Sequence, residues 1–462
     1  MADVVVAGAG VVGLACALFL ARRGHVILLL DRDAAPPNGS PEDEVEGWTR
    51  PGVPQAMHSH IFRARSTRVL QEEAPDVIDA LLERGITRSD VRFGEGFEDD
   101  VALSSRRLVY EAVLRRKVEA EARIEVRNGV DLSGLIARSN GTVSTVMGLR
   151  THDGEHLHAD LVVDACGRRS ATPRWLREIG VSAPAEVRRP FGLHYFARHY
   201  RLHSGASYPS TEVPVGQITP YGLFVAFGGD NRTYSLAGGL SKDDPHKTAL
   251  RDGKVFDRVL SAIPALSPWI AAGAPITDVY LMAGLANRRR SLVVDGQPSV
   301  RGYILIGDAS IYTNATFGQG IALGFWQAQR LAQLFSEIGQ KNDALVHELE
   351  DWTERTLSPR FEAQSVSDER MVQTMRAGIH GAPLPEPDEG QKPLSAVVAL
   401  SRKGDELATA ALARMHNLLA EPVDLLADPL LAERVQSFLA TDPPLGGGIG
   451  PLPRSKFETL VR

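Results

Sequence analysis

The chain has 462 residues, of which 43% are hydrophobic and 23% are charged. This composition is that of a globular protein, and the length predicts two or three domains. The formal net charge of -6 gives no basic surface of the kind that nucleic-acid binding requires. Two cysteines, Cys16 and Cys166, are too few for a disulfide framework and indicate a reducing, cytoplasmic compartment.

An apolar stretch near the N-terminus, residues 4–20, has some features of a signal peptide or a membrane span. No basic residue precedes it, and three glycines interrupt it. Two arginines then follow before the roughly 20 apolar residues that a span requires. The sequence therefore predicts a strand, a turn and a buried helix here, and no membrane span.

The first predicted elements are a strand over residues 3–7, a helix over 11–23 and a second strand over 26–30. Both strands are continuously apolar and do not alternate, which is typical of parallel strands that helices cover on both faces. The order strand, helix, strand predicts the start of a Rossmann-like α/β domain.

The turn after the first strand has the pattern Gly-x-Gly-x-x-Gly, and an acidic residue closes the second strand. Such a turn lets the backbone and a helix N-terminus approach a pyrophosphate, while the acidic residue accepts hydrogen bonds from a ribose. The expected contacts are Gly8, Gly10, Val12, Gly13 and Asp31. The alternative is a glycine-rich turn that binds nothing, and the pattern alone does not choose between FAD and NAD.

The remaining chain divides by its pattern into further elements. Residues 34–54 are rich in proline, glycine and acidic side chains and are predicted to be a loop. Alternation with many aromatics over 187–240 predicts an antiparallel sheet. The other predicted elements are helices over 61–83, 105–120 and 317–335, strands over 124–126, 143–149, 157–163 and 303–306, and a mostly helical last hundred residues with a proline-rich loop at 382–393.

A second signature lies about three hundred residues further on. Residues 303–310 read Tyr-Ile-Leu-Ile-Gly-Asp-Ala-Ser, and residues 317–320 read Phe-Gly-Gln-Gly. Together they resemble the second flavin-binding signature of class A flavoprotein monooxygenases, the relatives of para-hydroxybenzoate hydroxylase. The resemblance implies that FAD is the cofactor and that Asp308 binds its ribityl chain. It also implies that a helix start faces the flavin pyrimidine ring, with contacts from Gly318, Gln319, Gly320 and Ile321.

The chemistry of that helix start agrees with the resemblance. Reduced flavin carries negative charge near its pyrimidine ring, and free backbone N–H groups at a helix N-terminus stabilise such charge. The alternative is an ordinary strand, turn and helix in which Asp308 caps the helix.

A third segment, residues 160–170, reads Asp-Leu-Val-Val-Asp-Ala-Cys-Gly-Arg-Arg-Ser. In many class A enzymes it ends in Asp-Gly, and that aspartate helps to bind FAD and NADPH. Cys166 stands in the aspartate's place here, and a thiol is a poor substitute for a carboxylate acceptor. We therefore expect slow direct reduction by NAD(P)H and leave a separate flavin reductase open as the electron donor. Cys166 is interpreted as a small buried residue and not as a reactive thiol.

Three segments are similar to the branch of the family with actinobacterial polyketide epoxidases and related tailoring oxygenases. They are residues 50–60, Arg-Pro-Gly-Val-Pro-Gln-Ala-Met-His-Ser-His, residues 70–77, Leu-Gln-Glu-Glu-Ala-Pro-Asp-Val, and residues 105–108, Ser-Arg-Arg-Leu. The match implies that Arg106 is the flavin-binding arginine, with Arg32 on the adenosine side and Val130 among the cofactor contacts. The resemblance covers residues 3–340 and departs from the family at Ala315, where a proline is common.

Candidates for substrate contact are His58, Tyr195 and Tyr221. For a single aromatic residue of the predicted antiparallel sheet, core packing is the commoner role. His58 and His60 form a His-x-His pair, but such a pair without a third ligand cluster is a poor metal site. We expect no metal.

These observations predict an α/β protein in which a Rossmann-like FAD-binding domain contains an inserted antiparallel-sheet domain. The expected limits are 1–182 and 280–355 for the FAD-binding domain, 183–279 for the substrate-binding sheet and 356–462 for a helical C-terminal region.

The predicted function is that of an FAD-dependent monooxygenase. The resemblance implies transfer of one oxygen atom from a flavin C4a-hydroperoxide to an apolar small molecule, by hydroxylation or epoxidation in secondary-metabolite (antibiotic) tailoring. The expected partners are the substrate, O2 and a flavin reductase. An FAD-dependent reductase or dehydrogenase and a non-catalytic escort protein are the alternatives. A flavin-dependent halogenase shares the fold, but its Trp-x-Trp-x-Ile-Pro signature is absent from the sequence.

Overall fold

The computed structural model describes residues 2–139, 143–338, 344–441, 445 and 452–462. Strands and helices are numbered in chain order. The strands are β1 Ala2–Ala7, β2 Ile27–Asp31, β3 Ile61–Phe62, β4 Thr87–Ser89, β5 Ala102–Ser104, β6 Ile124–Asn128, β7 Leu132–Ser139, β8 Ser144–Thr151, β9 His156–Asp164, β10 Ala185–Pro190, β11 Leu193–Leu202, β12 Val215–Thr219, β13 Gly222–Gly228, β14 Thr233–Ser241, β15 Gly273–Pro275, β16 Tyr280–Met282, β17 Ala286–Ser291, β18 Val293–Val294, β19 Gln297–Pro298, β20 Val300–Arg301, β21 Tyr303–Leu305 and β22 Ile311–Tyr312.

The helices alternate with the strands in the first half of the chain and dominate its last quarter. They are α1 Val11–Arg22, α2 Pro41–Gly47, α3 Ala64–Glu73, α4 Pro75–Glu83, α5 Arg107–Glu119, α6 Thr172–Glu178, α7 Gly253–Ser261, α8 Ser267–Ala272, α9 Gly320–Ile338, α10 Ala344–Thr356, α11 Ser358–His380, α12 Lys392–Arg402, α13 Glu406–His416, α14 Pro429–Leu439 and α15 Arg454–Leu460. Within the described ranges, no helix is long and apolar enough to cross a membrane.

The largest sheet has the order β20-β8-β9-β1-β2-β6, with β21 beside β9 and β7 beside β8. Its centre is parallel, because β1 pairs in parallel with both β2 and β9. Every residue of β2 is buried, and so is almost all of α1, including each residue from Gly13 to Ala21. Burial on both faces explains the continuous apolar runs in the sequence and confirms the Rossmann-like prediction.

The second sheet is antiparallel, with the order β12-β13-β14-β11-β15 and β16 beside β11. One face packs against α7 and α8, where Phe256 and Trp269 are fully enclosed. On the other face, Tyr195 and Leu223 belong to a separate apolar cluster. Because neighbouring residues of a strand point to opposite faces, the alternation in the sequence corresponds to these two environments.

The chain returns from the antiparallel sheet to the parallel one. β20 pairs in parallel with β8, and β21 pairs in parallel with β9. A third, small sheet has the order β10-β17-β22. Its strand β10 comes just before the antiparallel sheet in the chain, and β17 and β22 come after it. The parallel α/β layer therefore contains strands from two separate parts of the chain.

Several local elements differ from the sequence expectations. The predicted loop contains helix α2, which Ser40 begins by a capping box with Asp43. The predicted helix over 61–83 is two helices, because Pro75 cannot donate the hydrogen bond that would continue α3. Helix α9 begins three residues later than predicted, since Gly318 takes a left-handed φ of 60° before it.

The helical C-terminal region has two parts. Helices α12, α13 and α14 pack around a small apolar core of their own. Helix α15 instead returns to the antiparallel sheet, where Phe457 contacts Tyr221. Arg454 also forms an ion pair with the fully buried Asp244.

Candidate functional site

A cavity of about 440 Å³ lies between the carboxyl ends of the parallel strands and the antiparallel sheet. That edge of an open parallel sheet is where ligands bind in α/β proteins, and the volume is within the usual range of ligand pockets. Phe227 and Met282 close the cavity from the antiparallel side. Of the residues predicted from the sequence, those that line it are Gly8, Gly10, Val12, Asp31, Arg32, His58, Val130, Asp308, Gly318, Gln319, Gly320 and Ile321.

The three glycines of the turn after β1 differ in how much space surrounds the position of a Cβ atom. A Cβ on Gly8 would lie 2.6 Å from the Ala165 carbonyl oxygen, and one on Gly13 would lie 1.8 Å from the Gly8 carbonyl oxygen. A Cβ on Gly10 would meet only Arg107 Nη2, at 4.0 Å. Gly8 and Gly13 therefore serve the protein's own packing, whereas Gly10 opens its backbone to the cavity. This division fits a bound dinucleotide.

The carboxylate of Asp31 already has partners within the protein. It accepts hydrogen bonds from the Asp33 N–H at 3.0 Å and from Arg50 Nη1 at 2.6 Å, and Arg115 Nη1 lies 3.3 Å away. The Arg50 side chain is 1% exposed and also pairs with Glu111 at 2.8 Å. Arg50 lines the cavity as well, although no local sequence pattern predicted it as a site residue. A ribose bound here would share Asp31 with two arginines.

Val130 and Arg32 flank the same carboxylate. The Val130 N–H donates to the Asp31 carbonyl oxygen at 2.9 Å, which holds the start of the following segment against β2. The Arg32 side chain is 55% exposed and reaches the cavity from its solvent side. Both residues line the cavity, and their contacts with a cofactor stay predictions.

Of two neighbouring arginines, the structure brings Arg107 and not Arg106 to the cavity. The Arg106 guanidinium binds the fully buried Asp230, with Nη2 2.5 Å and Nε 3.1 Å from Oδ1. Arg107 lines the cavity and uses Nε to pair with Glu111 at 3.2 Å. Its remaining nitrogens face Gly10 and His60. The expectation that Arg106 contacts the flavin therefore does not match its position.

The opposite wall holds the second signature. Helix α9 begins at Gly320, and a Cβ on that residue would lie 3.5 Å from Asp308 Oδ1. Burial raises the pKa of Asp308, while the cations Arg107, Arg288 and Arg168 act to lower it. The turn that contains Asp308 is fixed to α9, because Gln327 Oε1 of that helix accepts a hydrogen bond from the Gly307 N–H at 2.9 Å. Asp308 and the first turn of α9 thus face one end of the cavity together.

Cys166 lines the cavity as a protonated thiol. Its Sγ donates to the Ala7 carbonyl oxygen at 3.4 Å, and its N–H donates to Asp164 Oδ1 at 2.8 Å. Burial first, and then the Asp164 carboxylate, raise the pKa of the Cys166 thiol well above its ordinary value. A thiol in this state is a weak nucleophile. Cys166 is, however, half-buried at the cavity wall and not fully enclosed as the sequence predicted.

Three histidines lie together beside the cavity. His60 Nδ1 is 2.7 Å from the His58 carbonyl oxygen, and His199 Nε2 is 3.1 Å from the Met57 carbonyl oxygen. Burial lowers the pKa of His58 and of His199 to about 4 and that of His60 to about 3. The rings are therefore neutral at pH 7. Among the described residues, no group of three His, Cys, Asp or Glu side chains is placed to hold a metal ion.

The two tyrosines predicted to contact the substrate do not line the cavity. The Tyr195 hydroxyl binds Asn314 and Thr316, which do line it, so Tyr195 supports the wall from behind. The Tyr221 hydroxyl donates to the Leu452 carbonyl oxygen at 2.7 Å, deep in the core under α15. Phe227, which alternation alone could not separate from its neighbours, is the aromatic residue of the sheet that reaches the cavity.

Comparison with known proteins agrees with the first signature. The family model of FAD dependent oxidoreductases matches residues 3–92, which include the glycine turn and Asp31. Protein Rv3254 of Mycobacterium tuberculosis (strain ATCC 25618 / H37Rv) is 26% identical to the chain over 389 residues. The aligned part is 79% of this chain and 79% of the relative.

Two solved structures have a similar architecture. The flavin-dependent brominase Bmp2 has a TM-score of 0.62 at 14% identity and covers 95% of this chain and 99% of its own. OxyS anhydrotetracycline hydroxylase from Streptomyces rimosus has a TM-score of 0.58 at 17% identity, with 90% of this chain and 76% of that chain covered. At such identities the likeness is one of fold. The chain therefore shares its fold with this brominase and this hydroxylase, and its N-terminal segment is similar to the FAD dependent oxidoreductases.

Proposed function

We propose that the protein is an FAD-dependent monooxygenase that transfers one oxygen atom from O2 to an apolar small molecule. The observation that carries the proposal is the composition of the cavity at the carboxyl ends of the parallel strands. Gly10 and the first turn of α9 form its dinucleotide end, and Phe227 and Met282 give it an apolar wall. The matched family and the fold shared with OxyS, an anhydrotetracycline hydroxylase, support the same reading. A polycyclic, polyketide-like substrate in a tailoring step is the specific form we propose.

The site has the parts that this chemistry requires. Bound FAD, once reduced, would supply the activation of O2, which no side chain can perform. The residues of the chain would bind and orient the two ligands and exclude water. His58 is buried and neutral, so its ring adds a polar contact to the apolar end without adding charge there. We propose it as the substrate contact.

For the cofactor end we propose Arg107 as the arginine that binds the pyrophosphate. Its Nη2 is the atom closest to the open side of Gly10. Arg107→Met is expected to weaken FAD binding by about 10- to 100-fold, the usual value of a charge-assisted contact to phosphate. The apoprotein should stay folded, because Glu111 keeps its ion pair with Arg50. Fluorescence titration of FAD and thermal unfolding of the apoprotein check both statements.

Arg106→Met is the matched control for that variant. It would leave Asp230, which is 0% exposed, without its cation and should lower the free energy of unfolding by roughly 3–5 kcal/mol. The two neighbouring substitutions thus separate cofactor affinity from stability. A fully stable Arg106→Met protein that loses FAD would reverse the assignment.

Incorporation of label from ¹⁸O2 tests the proposed reaction. Reduced protein is mixed with labelled oxygen and a panel of polycyclic aromatic and polyene substrates, with NAD(P)H alone or with an added flavin reductase. One labelled oxygen atom per product molecule is expected. A product formed without label contradicts the proposal and favours a reductase or dehydrogenase. The comparison of the two electron sources also shows whether Cys166, in place of a carboxylate, slows reduction by NAD(P)H alone.

A further inference from the structure

Arg63 is a buried cation at the cavity that lacks a carboxylate partner. It immediately precedes α3, is 7% exposed and lines the cavity. Its Nε donates to the Phe317 carbonyl oxygen at 2.8 Å. Within the described part of the chain, no Asp or Glu oxygen lies within 4 Å of it, and its two terminal amino groups have no hydrogen-bond partner.

An arginine in such surroundings is costly unless an anion compensates its charge. Burial lowers the pKa of Arg63 to about 10, so the side chain remains a cation at neutral pH. The nearby His416 ring, which stacks on Phe317, is neutral at pH 7, because burial and the Arg63 charge lower its pKa to about 4, and a neutral imidazole does not compensate a cation. The protein itself therefore does not compensate Arg63.

The position of Arg63 coincides with a second source of positive potential. Phe317, whose carbonyl oxygen holds the guanidinium, lies three residues before the 19-residue helix α9. A Cβ on Gly318 would be 3.8 Å from Arg63 Nε. The helix start, with its free N–H groups and partial positive charge, lines the same corner of the cavity. Arg63 and the N-terminus of α9 thus both place positive charge at one corner of the cavity, where an anion would be stabilised.

We propose that Arg63 compensates the negative charge of the reduced flavin and raises the reduction potential of the bound FAD. The inference rests on the proposed function as an FAD enzyme. Oxidised flavin is neutral, and it takes up two electrons and one proton to give a reduced ring with one negative charge on its pyrimidine side. A fixed cation at that side stabilises only the reduced form. Arg63 is thus a positioning charge and not a group that reacts.

The experiment is a reductive titration of the FAD-loaded protein without O2 and without substrate, against a dye of known potential. The variants are Arg63→Met, Arg63→Lys and, as the matched control, Arg65→Met. Arg65 lies two residues after Arg63 in the first turn of α3, donates through Nε to the Leu418 carbonyl oxygen at 2.9 Å and does not line the cavity. Thermal unfolding of each apoprotein is measured in parallel.

Arg63→Met is expected to weaken the binding of reduced FAD about tenfold relative to oxidised FAD. For a two-electron couple this ratio lowers the midpoint potential by about 30 mV. Arg63→Lys should recover most of the potential, and Arg65→Met should leave it unchanged.

An unchanged potential in Arg63→Met overturns the proposal. Equal shifts in Arg63→Met and Arg65→Met also overturn it, since they would reflect a structural effect. A tenfold or larger loss of oxidised FAD contradicts it as well, because the oxidised ring carries no charge to compensate. Since neither O2 nor substrate takes part, a negative result in the labelling experiment leaves this test unaffected.

Discussion

Gly10→Ala is expected to give a folded apoprotein that no longer retains FAD. Gly10 precedes α1 with ordinary extended angles, φ -73° and ψ 175°, which alanine adopts without strain. Its new Cβ would meet only Arg107 Nη2, at 4.0 Å, so nothing inside the protein has to move. The methyl group would instead occupy the space through which a pyrophosphate approaches the backbone. We expect at least about a 100-fold loss of FAD affinity, which is roughly 3 kcal/mol.

Gly13→Ala is the control that separates a loss of FAD affinity from a loss of stability. Its Cβ would lie 1.8 Å from the Gly8 carbonyl oxygen and 3.2 Å from Ala165 Cβ, both in the central layer of the fold. That substitution should destabilise the protein whether or not FAD is present. Isothermal titration with FAD and the unfolding midpoint of the apoprotein distinguish the two variants. Gly10→Ala protein that binds FAD with wild-type affinity would place the pyrophosphate away from this turn.

The sequence predicted the glycine turn because its requirements are local. A Cβ on Gly8 or Gly13 would clash with nearby backbone, whereas a Cβ on Gly10 would not. These separate roles follow from the position of each glycine within one strand, turn and helix. The same holds for Asp31, which closes the next strand of the same unit.

The sequence could not predict which of two adjacent arginines faces the cavity. Arg106 is drawn away by Asp230, a residue of the antiparallel sheet region that lies 124 positions further along the chain. Arg50 was missed for a similar reason, since its partners Asp31 and Glu111 come from a strand and a helix on either side of it. Such pairings depend on how the sheets and helices pack and leave no local pattern.

The two tyrosines show the same limit in the antiparallel region, where Tyr195 lies in β11 and Tyr221 in the turn between β12 and β13. Alternation separates the two faces of the antiparallel sheet, but it does not say which face meets a cavity and which meets a helix. Tyr221 lies against Phe457 of α15, which folds back from the far end of the chain. Only the tertiary structure shows that the cavity is reached by Phe227 instead.

Acid is expected to destabilise the apoprotein at pH values well above the range in which carboxylates titrate. Four histidines have a lowered pKa, and burial is the largest cause in each case. Their pKa values are about 4 for His58, about 3 for His60, about 4 for His199 and about 4 for His416. In the unfolded chain a histidine has a pKa of about 6.5.

The sign of the effect follows from proton linkage. Between the folded and the unfolded pKa the unfolded chain binds more protons, so the free energy of unfolding falls as the pH falls. The contribution of these histidines is fully present above pH 6.5 or so and is lost as the pH falls toward about 4. A single shift of this size corresponds to about 3 kcal/mol. Denaturant unfolding at intervals between pH 7.5 and pH 4.5 measures the slope.

His416→Phe isolates one of the four contributions. The His416 ring stacks on Phe317 with centroids 5.3 Å apart and lies outside the cavity, so phenylalanine keeps the packing and removes the titration. We expect the variant to lose stability with falling pH more slowly than the wild type, by up to about 1.4 kcal/mol per pH unit below pH 6. His347→Phe, at an exposed position of α10, is the matched control substitution. Identical slopes for wild type and His416→Phe would mean that the His416 ring takes up its proton in the folded protein as easily as in the unfolded chain.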